Sequence, residues 1–358
     1  MGSNALITGW GMYAPSHVMT NQDLTKLVDT SDEWIVSRTG IRERRIAADD
    51  ETTTTLSLYA ARDALAVAGV DAADVDLVIV ATCSPDYPLP ATSVTVATAL
   101  GAYRAAGFDL QAACSGFLYG LATGSSFIRA GMYRNVLVIG VEVLSRFIDW
   151  TDRNTCVLFG DGAGAVLLQA SDQPGGLLGF NLYSDGTGYE GIIVPGGGSA
   201  CPASPTSIAE GKHFIKMAGR DVYKSATRQM AESAEAALRD AGLTVDQVDQ
   251  FVFHQANLRI IENVQKQLGI PDEKLYINIE KYGNTSAASV PMALVEAVAA
   301  GRIHPGDNVL MVAFGAGYTA GAAVVEWTAD PKRAFRAPGA QTRLGKPRHA
   351  EEPAAVAG

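Results

Sequence analysis

The chain of 358 residues is 47% hydrophobic and 18% charged, enough apolar material for one large domain or two packed halves, which excludes disorder as its main state. Its formal net charge of −10 excludes a general affinity for nucleic acid, which needs basic clusters to displace counterions, so an anionic partner must meet a local basic patch. Four scattered cysteines, Cys83, Cys114, Cys156 and Cys201, lack CxxC spacing, exclude a disulfide framework, and point to a reducing cytoplasm.

At the N-terminus, MGSNALITGWG has no basic region leading into a long apolar segment. No apolar run in the chain approaches the roughly 20 residues of a membrane helix, so a soluble, unexported protein is expected. TSDEWIVSRTGIRERR (30–45) reads as a helix capped at Thr30 with Glu33 in the capping-box position. That register puts Trp34 and Arg38 on one face, as a ligand platform or as an ordinary amphipathic helix. TLSLYAARDALAVAG (55–69) and VYKSATRQMAESAEAALRDAG (222–242) read as Ala-rich helices. VDLVIVAT (75–82), NVLVIGVE (135–142), FVFH (251–254) and NVLMVAFG (308–315) read as buried strands, and the alternation indicates α/β layers.

FDLQAACSGFLYG (108–120) places Cys114 where a strand end meets a helical pattern. There it is either a small buried core residue or a nucleophile whose thiolate is favoured by the helix N-terminus. GDGAGA (160–165) lacks GxGxxG spacing and runs between strand-like CVLF and AVLLQA, so a tight β-turn is expected rather than a dinucleotide loop. His254 in HQAN ends a strand, with Asn257 able to cap the helix LRIIENVQKQLG; it reads as a satisfied core histidine or a site residue. Asn284 in GNTSAAS (283–289) reads as a plain N-cap or a second site residue. From about 329 to 358 the chain turns rich in Pro, Ala and charge, and a mobile tail is expected.

An internal repeat runs through these elements. ALAVAGVDAADVDLVIVATCS (64–84) matches ALRDAGLTVDQVDQFVFHQAN (237–257), and RNVLVIG matches DNVLMVA, both at an offset of 173 residues. A duplicated α/β unit follows, with halves at 1–172 and 173–328. Under that offset Cys114 faces Ala287, His254 faces Ala81 and Asn284 faces Gln111. Any chemistry is therefore asymmetric and lies where the halves meet.

CSG, HQAN and GNTSAAS, together with GDGAGA, FGAG (314–317) and the 30–45 stretch, resemble the β-ketoacyl-acyl-carrier-protein synthase III family of condensing enzymes over about residues 5–328. The resemblance implies the thiolase fold, two similar α/β halves in a five-layered α-β-α-β-α arrangement. It implies a decarboxylative Claisen condensation of an acyl-CoA primer with malonyl on the acyl carrier protein, starting fatty-acid synthesis. Cys114 would carry the acyl group, His254 and Asn284 would hold the enolate oxygen, and the backbone N–H groups of Cys114 and Ala316 would form the oxyanion hole. Coenzyme A would meet Thr30, Trp34, Arg38 and Arg153, its adenine held between Trp34 and Arg38, with Gly219 and Asn257 along the pantetheine. Leu89, reaching across a homodimer interface, would gate the primer pocket, and a leucine there implies room for more than acetyl. Arg259, Lys266 and Arg220 would receive the acidic carrier. No cofactor, metal, nucleic acid or membrane is implied. A Cys, His, Asn set also describes papain-like hydrolases. A relative that starts polyketide synthesis or acylates another acceptor would share these motifs, and a non-catalytic subunit would have no reason to keep all three residues.

Overall fold

A computed structural model describes residues 4–330, so the tail expected over 329–358 lies, from residue 331 onward, outside the described residues. Two five-stranded sheets organise the chain. The first holds β1 (Asn4–Tyr13), β2 (Leu77–Ala81), β3 (Ala106–Leu110), β4 (Asn135–Glu142) and β5 (Gly162–Ser171), in the order β3-β2-β4-β5-β1. The second holds β6 (Gly176–Ser184), β7 (Gln250–Phe253), β8 (Leu275–Tyr276), β9 (Asn308–Gly315) and β10 (Thr319–Glu326), in the order β8-β7-β9-β10-β6. The two orders are the same topology. β2 runs parallel to β3 and β4, as β7 does to β8 and β9, and the remaining pairs are antiparallel.

The longer helices are α1 (Asp32–Thr39), α2 (Thr53–Ala68), α3 (Thr92–Leu100), α4 (Gly116–Arg129), α5 (Gly219–Ala241), α6 (Leu258–Leu268) and α7 (Ser289–Ala299). α2 and α3 cover the outer face of the first sheet, and α5, flanked by α6, covers the outer face of the second. α4 and α7 lie between the sheets and touch strands of both, completing five layers. Covered on both faces, β2, β4 and β9 can be the continuous Val/Ile/Leu runs read from the sequence. α4 reaches its inner position because its sheet-facing residues are small: a Cβ on Gly120 or Gly124 would lie 3.0 Å from Val138 or Val136 of β4. α7 is apolar nearly all round, as a helix between two sheets must be.

The offset of 173 survives in three dimensions. β4 and β9 span Asn135–Glu142 and Asn308–Gly315, and α4 and α7 begin at Gly116 and Ser289. α2 and α5 end on Gly69 and Gly242, left-handed caps with φ of 69° and 70°.

One local expectation changes. The cap of α1 is Ser31, whose hydroxyl accepts the Trp34 N–H at 3.1 Å, while the Thr30 hydroxyl is buried without a partner. With the helix starting at Asp32, Thr30 lies one residue too early for the three-residue reach of a cap. GDGAGA was expected as a tight β-turn after a strand; instead Cys156 ends a short helix, Val157 and Leu158 form the turn, Gly160 and Asp161 are an irregular connection and Gly162–Ala165 already belong to β5, with no helix following. Among the described residues no helix is long and apolar enough to cross a membrane.

Candidate active site

Where the parallel strands of both halves end and α4 and α7 begin, a cavity of about 1080 Å³ opens. It is lined from both halves, by Cys83 and Cys114 from the first and by His254, Asn284, Ser286 and Ala316 from the second.

Cys114 lies on the short turn Ala113–Ser115 that joins β3 to α4. Ala113 has φ of 47°, a left-handed value that costs a residue with a Cβ roughly 1–2 kcal/mol. Ser286, 173 residues later, repeats it at 49°. The Cys114 turn is pressed onto the second sheet at Gly315, where a Cβ would sit 2.5 Å from the Cys114 nitrogen. Thr319 fastens it by donating to the Ala112 carbonyl at 2.8 Å. The helix-start environment was expected to favour the thiolate. Burial instead pushes the Cys114 thiol up to about 12, with a Ser286 hydrogen bond opposing the rise and the Glu142 carboxyl adding to it. Cys114 rests as a thiol because desolvation outweighs the helix terminus.

His254 follows β7 and is buried, which pushes its imidazole down to about 3 and keeps it neutral at physiological pH. Its Nδ1 lies 2.5 Å from the Ser289 hydroxyl. That hydroxyl also accepts the Gln255 N–H at 3.3 Å. With Nδ1 paired to Ser289, Nε2 is the ring nitrogen left for a ligand. Asn284 is not a helix cap: α7 starts after Ala288 with no side-chain cap. Its Oδ1 accepts the Ser286 N–H at 2.9 Å, which leaves the NH2 for the cavity. Its backbone is gripped by the first half, donating to the Leu158 carbonyl at 2.8 Å and accepting from Gly160 at 3.0 Å. His254 and Asn284 thus present two neutral donors to one cavity.

Glu142, at the end of β4, was read only as the last residue of a strand. It is fully buried and accepts from the Ser84 hydroxyl at 2.6 Å, the Cys83 N–H at 3.1 Å, the Thr82 hydroxyl at 3.3 Å and, across the halves, the Ser286 hydroxyl at 3.1 Å. Burial pushes its carboxyl up to about 7 against these hydrogen bonds.

Toward the mouth, Trp34, Arg38, Asn257 and Gly219 line the same cavity. The guanidinium over the Trp34 ring is that of Arg153, 5.0 Å from its centroid and anchored on the Asp29 carbonyl at 2.9 Å, rather than that of Arg38. The two residues are 119 positions apart, so helix periodicity could not pair them. Asn257 caps α6 by accepting the Arg259 N–H at 2.9 Å and donates to the Arg38 carbonyl at 3.1 Å, tying α6 to the end of α1. Arg220, Arg259 and Lys266 are exposed on α5 and α6, whose first turns meet where Tyr223 donates to the Arg259 carbonyl at 3.5 Å. Leu89 is 82% exposed and does not line the cavity. Among the described residues no group of three or more His, Cys, Asp or Glu side chains could hold a metal ion.

A duplicated five-layered α/β fold with a cysteine and two neutral donors at the meeting of its halves defines a thiolase-like, acyl-transferring enzyme. Two family models match the chain, 3-oxoacyl-[acyl-carrier-protein (ACP)] synthase III over residues 108–186 and its C-terminal counterpart over 238–327. The β-ketoacyl-[acyl-carrier-protein] synthase III of Roseiflexus sp. (strain RS-1) is 53% identical over 329 residues, 92% of this chain and 100% of that one. Among solved structures, 3-oxoacyl-[acyl-carrier-protein] synthase III from Aquifex aeolicus VF5 superposes with a TM-score of 0.84 at 44% identity, covering 90% of this chain and 100% of that one. The priming β-ketosynthase of the R1128 polyketide biosynthetic pathway does so with a TM-score of 0.85 at 38% identity, covering 92% and 98%. The chain belongs to the β-ketoacyl-acyl-carrier-protein synthase III family of condensing acyltransferases.

Proposed function

We propose that the chain joins an acyl group from acyl-CoA to the two-carbon unit of malonyl on an acyl carrier protein, with loss of CO2, as the first condensation of fatty-acid synthesis. Residues 1–172 supply the nucleophile and residues 173–328 the donors. Cys114 attacks the acyl-CoA carbonyl, coenzyme A leaves, and the acyl group stays on sulfur. Malonyl-carrier enters, CO2 departs, and the enolate oxygen is held by His254 Nε2–H and the Asn284 amide. The carbanion attacks the acyl-Cys114 carbonyl, whose oxyanion meets the N–H groups of Cys114 and Ala316.

The observation that carries this reading is the meeting of Cys114, His254 and Asn284 in one cavity, with His254 buried. An imidazole held near 3 is too weak a base to activate water at neutral pH, but as a neutral Nε2–H donor it stabilises an enolate. That separates condensation from papain-like hydrolysis, in which the histidine must take a proton. Trp34 with Arg153 over its ring, Arg38 and Thr30 form the nucleotide end of the coenzyme site, with Gly219 and Asn257 along the pantetheine. Exposed Arg220, Arg259 and Lys266 receive the acidic carrier protein. The exposed apolar side chains of Tyr87, Leu89 and Val94 form the seat of a second copy, and Leu89 of the partner subunit closes the primer pocket. The four free cysteines suit a reducing cytoplasm. Likeness to the R1128 priming ketosynthase favours, as a second reading, the same chemistry at the start of polyketide synthesis; a comparison of carrier proteins separates the two.

The test is product formation followed by mass on the carrier. β-Ketoacyl-carrier should appear only when acyl-CoA and malonyl-carrier are both present. His254→Ala and Asn284→Ala should each slow decarboxylation on the order of 100- to 1000-fold while Cys114 still acylates. Release of coenzyme A that continues without malonyl-carrier would instead mark a hydrolase.

A further inference from the structure

In the condensing reaction the tetrahedral oxyanion lies between two backbone N–H groups from different halves, that of Cys114 and that of Ala316. Two amides serve one oxygen only if the turns that carry them come into backbone contact. Gly315 permits that contact: a Cβ there would sit 2.5 Å from the Cys114 nitrogen. Both turns are strained, with φ of 47° at Ala113 and 46° at Tyr318. Such angles persist only where neighbours over-determine them.

Thr319 and Ser115 supply the ties. The Thr319 hydroxyl donates to the Ala112 carbonyl at 2.8 Å on the Cys114 turn and lies 3.2 Å from the Ala316 carbonyl on its own turn, so one oxygen reaches both. Ser115 reaches back, its hydroxyl donating to the Thr319 carbonyl at 3.1 Å, and the two hydroxyl oxygens lie 3.4 Å apart. The two bonds bracket Cys114, one from each side along the chain. We propose that Thr319 and Ser115 are positioning residues, a reciprocal clasp that sets the spacing of the Cys114 and Ala316 amides around the oxyanion. The clasp deepens the condensing reading and rests on it.

The duplication shows what the fold does without the clasp. Gly315 pairs with Thr319 across β9 and β10, and Glu142, its equivalent at the 173 offset, pairs with Gly162 across β4 and β5. The equivalent of Ser115 is Ala288. Both members of the clasp are therefore missing from the half without the nucleophile. Its own left-handed turn at Ser286 is tied instead by the Ser286 hydroxyl, which donates to Glu142 at 3.1 Å. That route is closed at Cys114, because the residue in the place of Glu142 must be glycine for the amides to approach. The clasp replaces a side-chain tie that close approach forbids.

The experiment compares wild type with Thr319→Val, Thr319→Ser and Ser115→Ala in two assays. One is single-turnover acylation over a range of acyl-CoA concentrations, read by intact mass. The other is CO2 release from malonyl-carrier without primer, whose enolate is held by His254 and Asn284 rather than by the two amides. Thr319→Val keeps the shape and loses the hydroxyl. It should acylate about 30-fold more slowly at saturation, with the half-saturating acyl-CoA concentration and CO2 release within about twofold of wild type. Ser115→Ala should lose about fivefold in the same step, and Thr319→Ser, which keeps the hydroxyl, should return to within about threefold of wild type. Equal loss in both assays, a loss confined to affinity, or acylation by Thr319→Val within about twofold of wild type would overturn the clasp. If Thr319→Val does not fold, Ser115→Ala carries the same split between assays. A wild type that takes no acyl group overturns the nucleophile assignment and the clasp with it, whereas normal wild-type acylation with unaffected variants overturns the clasp alone.

Discussion

Burial acts on three titratable side chains around the cavity floor, and in each it favours the neutral form: Cys114 and Glu142 are raised and His254 is lowered. The consequences for stability have opposite signs. His254 falls from 6.5 to about 3 on folding, so the unfolded chain takes its proton first, and the stability it contributes, full above 6.5, is lost as pH falls toward 3. Glu142 rises from 4.5 to about 7, so its contribution is full below 4.5 and is lost as pH climbs through 7. Each slope is about 1.4 kcal/mol per pH unit, and between 4.5 and 6.5 they oppose each other. Glu142→Gln removes only the second slope. Its stability relative to wild type should therefore grow by about 3 kcal/mol from pH 4.5 to 7.5 in urea titrations, and a difference that stays constant with pH would refute the buried-acid assignment. The gathering of Cys114, His254 and Asn284 in one cavity was legible because each sits in a short motif at an element boundary, after a strand for Cys114 and His254 and after the short helix Ile279–Tyr282 for Asn284. Glu142 was not, because what makes it unusual is a partner 144 residues away.

The elements owe their meeting point to glycines and to two strained turns. Gly315→Ala would drive a Cβ against the backbone of the Cys114 turn and within 3.0 Å of the Ala113 Cβ. It should cost roughly 1–3 kcal/mol of stability and slow acylation at least about tenfold. Gly131, at the far end of α4, has φ of 73° and open space around it. Alanine there should cost about 1 kcal/mol from backbone strain alone and leave acylation unchanged, a contrast that thermal melts and acylation rates together can check. The α/β alternation followed from strand runs and Ala-rich helices and the duplication from one repeat offset, while the five-layered order was implied by the family resemblance. What the repeat could not supply was register at short range: Thr30 and Ser31 are both good caps, and only the start of α1 at Asp32 decides between them. The Arg153–Trp34 stack likewise depends on a tertiary contact that local periodicity does not encode.

For the whole molecule, a net charge of −10 opposes an acidic carrier everywhere except at a local basic face. Reversing charge at Arg259 and Lys266 together should raise KM for malonyl-carrier about tenfold and steepen no salt dependence, while acylation by acyl-CoA stays within twofold. Equal loss in both half-reactions would show instead that these residues support the fold. The assembly claim is checked by sedimentation, where Leu89→Asp should shift dimer toward monomer. The central claim is narrower than any of these: both halves converge to make Cys114 an acyl carrier. Its most direct measurement is intact mass after mixing the protein with straight and branched acyl-CoAs, beside Cys114→Ala. A mass increase equal to one acyl group on wild type alone is the predicted result, and the fraction of protein labelled across the panel ranks the primers; no adduct with any acyl-CoA, or an adduct that persists in Cys114→Ala, would contradict it.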